Sequence, residues 1–185
     1  MVKIKTVVAL AAEMLGAKER IDRYLGNSAN DDDRRLGDAL LRCYHLVETE
    51  IATDRVPIIM EDVLEMEDGS IPYTELSATP AFILSVCDAF GNPADVKIGV
   101  ETIEGKDGRY VVRYAKLPSE KSIEGYCELP PNVSCRTLAY GVAAEYCLHT
   151  GAYAEYAVWE KRYKEGLTVD SRSRRGKVIK GRAWV

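Results

Sequence analysis

The spacing of apolar residues changes twice along this chain of 185 residues, and that change constrains the fold more than any other feature. Apolar residues recur at helical spacing up to about residue 53, follow strand-like patterns over 57–129, and return to helical spacing over 133–166. Because the strands are gathered in one block, a doubly wound fold with alternating strands and helices is excluded. The pattern predicts an α+β fold, in which N- and C-terminal helices form a bundle, with an antiparallel β insertion and an extended C-terminal arm.

Three helices are predicted in the N-terminal part of the chain. Thr6 is suited to cap the first helix and Gly16 to end it. A second helix is predicted over 17–25, and a longer one over 30–53 that ends before Pro57. An amphipathic helix buries its apolar stripe against other elements. The stripe of the third helix consists of Leu36, Leu40, Cys43, Val47 and Ile51.

Strand patterns dominate the middle of the chain. A short apolar run over 81–87 predicts one strand, and alternating patterns over 97–102 and 109–114 predict two more. Residues 104–108, which read Glu-Gly-Lys-Asp-Gly, lie between the last two segments and predict a hairpin loop. We therefore expect an antiparallel β region over 57–129.

A second helical pair is predicted over 133–149 and 152–166. Because only Thr150-Gly151 separates the two helices, they are expected to form an antiparallel hairpin. Gly166 is expected to end the last helix. The predicted organisation is a single domain over 1–166, with helices over 6–53, the β region over 57–129 and the helical hairpin over 133–166, followed by a basic arm over 167–185.

Charge is distributed unevenly along the chain. The formal net charge is -4, from 25 basic and 29 acidic residues. Residues 167–185 hold six basic side chains and one acidic one, a charge of +5, so residues 1–166 hold 19 basic and 28 acidic side chains, a charge of -9. An acidic body with a basic C-terminal arm is a charge asymmetry that needs an explanation.

The sequence contains no familiar catalytic motif. Gly-x-Ser-x-Gly, P-loop and dinucleotide fingerprints are absent, and only two histidines are available for general-base chemistry. The acidic clusters at 31–33 and 61–62 are interpreted as a solvated helix cap and a loop rather than as cation sites. We expect a protein that is not an enzyme and uses no cofactor; a small enzyme with a scattered site is the less favoured alternative. No apolar run approaches the roughly 20 residues of a membrane span, so no membrane contact is expected.

The five cysteines are odd in number and show no regular spacing, which argues against a disulfide framework. Reduced, buried thiols are expected, as in a protein that folds in a reducing cytosol. Two Cys-x-His pairs, Cys43 with His45 and Cys147 with His149, suggest a zinc hypothesis. Residues i and i+2 point to opposite sides of a helix, so neither pair holds one ion, and no metal site is expected. A metal site that uses one residue of each pair, brought together across two helices, stays an open alternative.

The C-terminal arm combines basic residues with apolar ones. Arg and Trp are side chains that protein interfaces favour. Three interpretations stay open: the arm docks on a partner or neighbouring subunit, it holds nucleic acid through the phosphates, or it folds back onto the acidic body. The candidate partner-binding residues are Arg172, Arg174, Arg175, Lys177, Val178, Ile179, Lys180, Arg182 and Trp184.

One segment of the chain carries a resemblance to a known family. Residues 133–147 read Val-Ser-Cys-Arg-Thr-Leu-Ala-Tyr-Gly-Val-Ala-Ala-Glu-Tyr-Cys, and the pattern continues through 151–153 (Gly-Ala-Tyr) to 159–163 (Trp-Glu-Lys-Arg-Tyr). Together with the prolines at 130–131 and the segment Tyr-Val-Val-Arg-Tyr at 110–114, it resembles the head-to-tail adaptor (head–tail connector) proteins of tailed bacteriophages and prophages. The resemblance covers most of the chain in layout and its last third in sequence, and it includes no catalytic motif.

The resemblance implies a virion structural protein without an active site. It implies a ring of about twelve copies that binds the portal protein ring, joins it to tail or neck proteins, and surrounds double-stranded DNA that passes without specific binding. Residues 172–184 match the arm that contacts the portal in that family. The implied location is the virion neck at the portal vertex, after assembly in the host cytoplasm. The alternative is a nucleic-acid-binding protein that uses the basic C-terminal arm.

Overall fold

The computed structural model describes residues 2–26 and 28–173, without the side chains of 171–173. The described residues form five α-helices, one short 3-10 helix and two small antiparallel sheets. The predicted α+β class is therefore confirmed.

The chain divides into two compact units. The helical unit comprises the described residues up to Val47 and from Ser122 onward. The β unit comprises Glu48–Lys121 and includes the end of the third helix. The helices are α1 (Ile4–Met14), α2 (Lys18–Leu25), α3 (Asp31–Asp54), α4 (Cys135–Thr150) and α5 (Tyr153–Ser173).

Helix α1 begins at Ile4, so the prediction that Thr6 caps it is wrong. The backbone N–H groups of Ile4 and Lys5 donate to the carbonyl oxygens of Gly125 and Ile123, each at 3.1 Å. The first N–H groups of a helix have no partner within it and need one elsewhere. A segment about 120 residues away supplies those partners here, so α1 begins without a side-chain cap.

Helices α2 and α3 lie where the sequence predicts them, to within one residue at each end. All five side chains of the predicted α3 stripe are buried. The two helices approach closely at Gly37, where an added Cβ would lie 2.6 Å from the ring of Tyr24. Packing of the apolar stripe, rather than helix propensity alone, therefore stabilises α3.

Helices α4 and α5 form the predicted antiparallel hairpin. Ser134 caps α4, because its hydroxyl oxygen accepts a hydrogen bond from the backbone N–H of Thr137 at 3.0 Å. Gly151, with a φ of 77°, ends α4 in the left-handed conformation that glycine adopts without strain. An added Cβ at Gly141 would lie 2.9 Å from the ring of Tyr163, so the two helices pack very closely.

Helix α5 runs through Gly166 to Ser173, so the predicted helix end at Gly166 is wrong. An added Cβ at Gly166 would lie 2.7 Å from the hydroxyl oxygen of Thr137 on α4. The glycine therefore serves the close approach of two helices rather than helix termination. Beyond it, the side chain of Asp170 accepts a hydrogen bond from the backbone N–H of Ser134 at 3.0 Å, and the first part of the predicted arm is helical.

The β unit contains two three-stranded antiparallel sheets. The larger sheet has the order β1-β6-β3 and the smaller one the order β2-β5-β4. In the larger sheet Val63 pairs with Val111, and Val86 pairs with Val112. The predicted strand over 81–87 is confirmed as β3. The strands are β1 (Ile58–Met66), β2 (Ser70–Pro72), β3 (Pro80–Asp88), β4 (Lys97–Ile98), β5 (Thr102–Glu104) and β6 (Gly108–Lys116).

Three predictions in the β region are wrong. The segment 97–102 is not one strand, because the chain turns between β4 and β5 and the N–H of Gly99 donates to the carbonyl of Thr102 at 2.8 Å. The hairpin across 104–108 does not form, because β5 pairs with β2 and β4 whereas β6 pairs with β1 and β3. The nine-residue β6 finds longer partners in two nine-residue strands than in the three-residue β5. Residues 61–62, predicted as a loop, lie in β1.

Candidate functional site

The predicted partner-binding residues lie at and beyond the end of α5. Arg172 belongs to the last turn of α5, and its side chain is not among those described. The other eight, from Arg174 to Trp184, lie outside the described residues. The structure therefore describes the helix that leads to the predicted partner-binding residues, but not the positions of their side chains.

The inner face of α5 is fixed to α4 from its middle to its last turns. Tyr163 is buried beside Gly141. Close to the end of α5, Asp170 accepts the hydrogen bond from Ser134, the residue that caps α4. A carboxylate at the N-terminus of a helix also interacts favourably with the helix dipole. The one acidic residue of the segment 167–185 is thus used to hold the end of α5 in place.

A cluster of Tyr140, Trp159 and Arg162 lies on the surface of the α4–α5 hairpin. The two rings are stacked with centroids 6.0 Å apart and an angle of 22° between their planes. The guanidinium carbon of Arg162 lies 5.0 Å from the ring centroid of Trp159 and 5.9 Å from that of Tyr140. Cation–π contacts of this kind orient the guanidinium while leaving it solvated. The cluster presents a fixed positive charge on the hairpin that contains the resembling segment.

Asp33 joins α2 to α3 through two arginines. Its carboxylate is 1% exposed and accepts two hydrogen bonds from Arg23, at 2.8 and 3.0 Å, and one from Arg20, at 3.3 Å. The side chain of Asn30 accepts from the N–H of Asp33 at 2.8 Å, as in a capping box. The Arg23 guanidinium, helped by Arg20 and opposed by burial, holds the pKa of Asp33 at about 2. Asp33 is therefore a buried structural carboxylate and not part of the solvated cap that the sequence suggests.

A pocket of about 320 Å³ opens between α3 and α4. It brings Cys43 and His149 together, one residue from each Cys-x-His pair, and its other walls are mostly apolar. Burial, and to a smaller extent the charge of Glu145, raises the pKa of the Cys43 thiol to about 11. A thiol with that pKa is protonated at neutral pH and is a poor nucleophile and metal ligand. Among the described residues, no group of three or more potential ligands is arranged to hold a metal ion.

A hydrogen-bonded carboxylate also lies in the β unit. The hydroxyl of Tyr114, a fully buried side chain, donates to Asp62 at 2.8 Å and accepts from the N–H of Ala78 at 3.1 Å. The backbone N–H and the hydroxyl of Ser77 donate to the same carboxylate, at 2.7 and 2.8 Å. Burial acts to raise the pKa of Asp62, but these hydrogen bonds together keep it below the ordinary value. The network fixes the segment after the 3-10 helix Tyr73–Glu75 against the larger sheet.

The larger sheet leaves much of its other face open to solvent. Exposed apolar side chains alternate along β1 with carboxylates, and Glu61 lies opposite Arg113 in the register with β6. A solvated face is ordinary for an antiparallel sheet, but four large apolar side chains on it are 40% to 52% exposed. They are Ile59, Val63, Phe82 and Leu84.

Comparison with known proteins adds no relative. No family model and no curated protein matches this chain. In the part of the chain that the structure describes, no helix combines the length and the apolar character needed to cross a membrane. The case for a function therefore depends on the layout, the charges and the surfaces of this chain.

Two side-chain clusters were not found from the sequence. The roles of Arg20 and Arg23 were missed because their partner, Asp33, looks like one of three equivalent acidic residues at a helix start. The Tyr140 cluster was missed although Trp159 and Arg162 are three residues apart, a spacing at which helical side chains are neighbours. The tyrosine on the other helix gave no comparable signal.

Proposed function

We propose that the chain is a structural adaptor subunit of a phage neck ring, which joins the portal to the tail and forms part of the DNA channel. In this role the helices of the helical unit form a bundle, and the last residues form an extended arm that docks on the portal. The proposal assigns the protein no catalytic step, cofactor or metal. It places the assembled ring at the portal vertex of the virion, after assembly in the host cytoplasm.

The observation that carries the proposal is the separation of charge along the chain, -9 over 1–166 and +5 over 167–185. An acidic surface repels the phosphate backbone, so DNA passes it without being retained. The basic segment is attracted to an acidic surface on another assembly. One chain thus combines a body suited to a DNA channel with an end suited to attachment.

The order of elements gives further support. Three helices, a β unit and a helical hairpin follow one another, and the resembling segment lies in that hairpin. Helix α5 reaches Ser173 and is held near its end by the contact between Asp170 and Ser134. The attachment residues after Ser173 therefore begin at a point that is fixed to α4. A short connection of this kind limits the entropy lost on docking.

The test is a truncation after Ser173, which removes 174–185 and keeps α5 intact. Full-length and truncated proteins are mixed with candidate portal rings and examined by electron microscopy. The full-length protein is expected to form a ring on the portal, and the truncated protein is expected to leave the portal bare. A full-length variant in which Arg174, Arg175, Lys177, Lys180 and Arg182 are all replaced by glutamine keeps the arm and removes its charge.

The two variants separate the possible outcomes. Failure of both variants to attach supports a charged arm that docks on the portal. If the glutamine variant attaches and the truncated protein does not, the apolar residues of the arm are responsible for docking. These residues are Val178, Ile179 and Trp184. Normal attachment by the truncated protein contradicts the docking role of the arm. Circular dichroism of each variant shows whether the body remains folded.

The basic segment also favours a second candidate, a nucleic-acid-binding protein. That function predicts tight, salt-sensitive binding of DNA by the purified protein. If all five basic residues after Ser173 contact phosphates, log K falls with log salt with a slope of about -4.5. The adaptor function predicts weak binding or none. Fluorescence anisotropy with duplex DNA at several salt concentrations distinguishes the two.

A further inference from the structure

Helix α5 presents a second apolar face, opposite to the one that packs on α4. Tyr163, Gly166 and Asp170 point towards α4, as their contacts show. On the other side, Val158 is 51% exposed and Val169 is 63% exposed. The residues of this outer face, all exposed, are Ala154, Ala157, Val158, Lys161, Glu165 and Val169.

The spacing of these residues makes the outer face a continuous stripe. They follow one another at intervals of one, three or four positions, the spacing of neighbours on one side of a helix. A shallow concavity of about 430 Å³ lies on it, with Ala157, Val158, Lys161 and Glu165 among its walls. The small alanine side chains allow another helix to approach closely. The face therefore has the size and shape of a helix-packing surface.

The charges on the stripe specify the partner. Lys161 and Glu165 are the charged residues along the middle of the outer face, and the exposed Arg162 lies at its edge and lines the same concavity. Neither Lys161 nor Glu165 has an ion-pair partner among the described residues. If two copies of α5 pack antiparallel about the position of Tyr163, Lys161 of each copy faces Glu165 of the other. The same arrangement places Ala157 of each copy against Val169 of the other. Parallel packing would instead place like charges together.

We propose that the outer face of α5 binds the same face of a second copy of this chain, as an antiparallel two-fold contact. A two-fold interface uses one surface twice, so the pattern must be complementary to itself when reversed. The stripe meets this condition at Lys161 with Glu165 and at Ala157 with Val169, whereas Val158 falls opposite the exposed Thr168. The contact is independent of the adaptor role, because it uses neither the segment after Ser173 nor a portal.

The test is sedimentation velocity of the full chain at increasing concentration, with charge reversals at the two positions. The native protein is expected to dimerise. Lys161→Glu places two pairs of carboxylates in the interface, and Glu165→Lys places two pairs of ammonium groups there. Each single reversal is expected to raise the dissociation constant by about tenfold or more.

Mixing the two variants gives the decisive result. In a mixed dimer, the carboxylate introduced at position 161 of one copy faces the ammonium group introduced at position 165 of the other, so this pair is attractive. The remaining pair keeps its native charges, so an equimolar mixture of Lys161→Glu and Glu165→Lys is expected to dimerise like the native protein. Arg136→Glu is the control, because it replaces a positive by a negative side chain at an exposed position on α4, as Lys161→Glu does on α5. It should leave the dissociation constant unchanged.

The outcomes are distinct. A native protein that stays monomeric, single reversals without effect, or a mixture that does not recover would each overturn the contact. Circular dichroism confirms that each variant is folded. Portal binding is measured separately with the truncated protein, so failure of the adaptor proposal and failure of the α5 contact are distinguishable.

Discussion

Tyr114→Phe is expected to weaken the β unit while leaving its packing intact. The substitution removes one oxygen atom from a fully buried side chain, and with it the hydrogen bonds to Asp62 and Ala78. The ring remains, so no large cavity forms. Leaving the half-buried N–H of Ala78 unpaired and removing a donor from a carboxylate costs about 1–3 kcal/mol.

Hydrogen exchange of the β6 amides is the suitable assay, because the chain has two compact units and a single unfolding transition is not assured. A loss of about 1–3 kcal/mol corresponds to exchange that is roughly 5 to 150 times faster. Tyr110→Phe is the matched control in the same strand. Its hydroxyl donates to the carbonyl of Lys106 at 2.8 Å in an exposed position, so a cost below about 0.5 kcal/mol is expected.

The pH dependence gives a second check on the same network. The folded pKa of Asp62 is lowered, so its contribution to stability is present above the ordinary aspartate range and is lost as the pH falls through the folded pKa. Tyr114→Phe should raise the pKa of Asp62, and the difference between the two proteins should shrink in acid. Equal exchange rates in Tyr114→Phe and Tyr110→Phe would refute the reasoning.

Three further predictions concern the helical unit. Asp33→Asn should lower the thermal midpoint at pH 7, and its difference from the native protein should disappear as the pH falls from about 4 to about 2. Asp32→Asn, a change at an exposed position, is the control and should have little effect on the midpoint. Gly166→Ala should destabilise the α4–α5 hairpin by about 1–3 kcal/mol in urea unfolding, reduced by the higher helix propensity of alanine. Adding Thr137→Ala to the same chain removes the clashing side chain and should relieve that loss. Ser134→Ala should cost about 1 kcal/mol by the same measurement, and Ser134→Thr, which retains a capping hydroxyl, should cost less.

The helices were the most predictable part of the fold. The α3 stripe and the turn at Gly151 depend on local spacing and chain breaks, which the sequence displays directly, whereas the cap by Ser134 was not predicted. The end of α5 was not predictable in this way. Gly166 looks like a stop signal, and only its contact with Thr137 shows that it serves packing.

Strand pairing was less predictable than strand position. A short apolar run located β3 and alternation located β6, but neither pattern carries information on which strands are neighbours. The hairpin across 104–108 was inferred from a turn-like sequence, whereas the residues that pair with β6 lie 22 to 58 positions away in the chain. The same limit applied to Asp33 and Tyr114, whose partners are defined by tertiary structure. The C-terminal attachment residues remain a prediction from charge and composition.

Trp159 has a practical consequence for spectroscopy. The chain has two tryptophans, and the truncation after Ser173 removes the other one, Trp184. The remaining indole is stacked on Tyr140 and lies beside the guanidinium of Arg162, so its emission depends on whether the α4–α5 hairpin is intact. The shortened protein therefore contains a built-in fluorescent reporter for one pair of helices, without any added label.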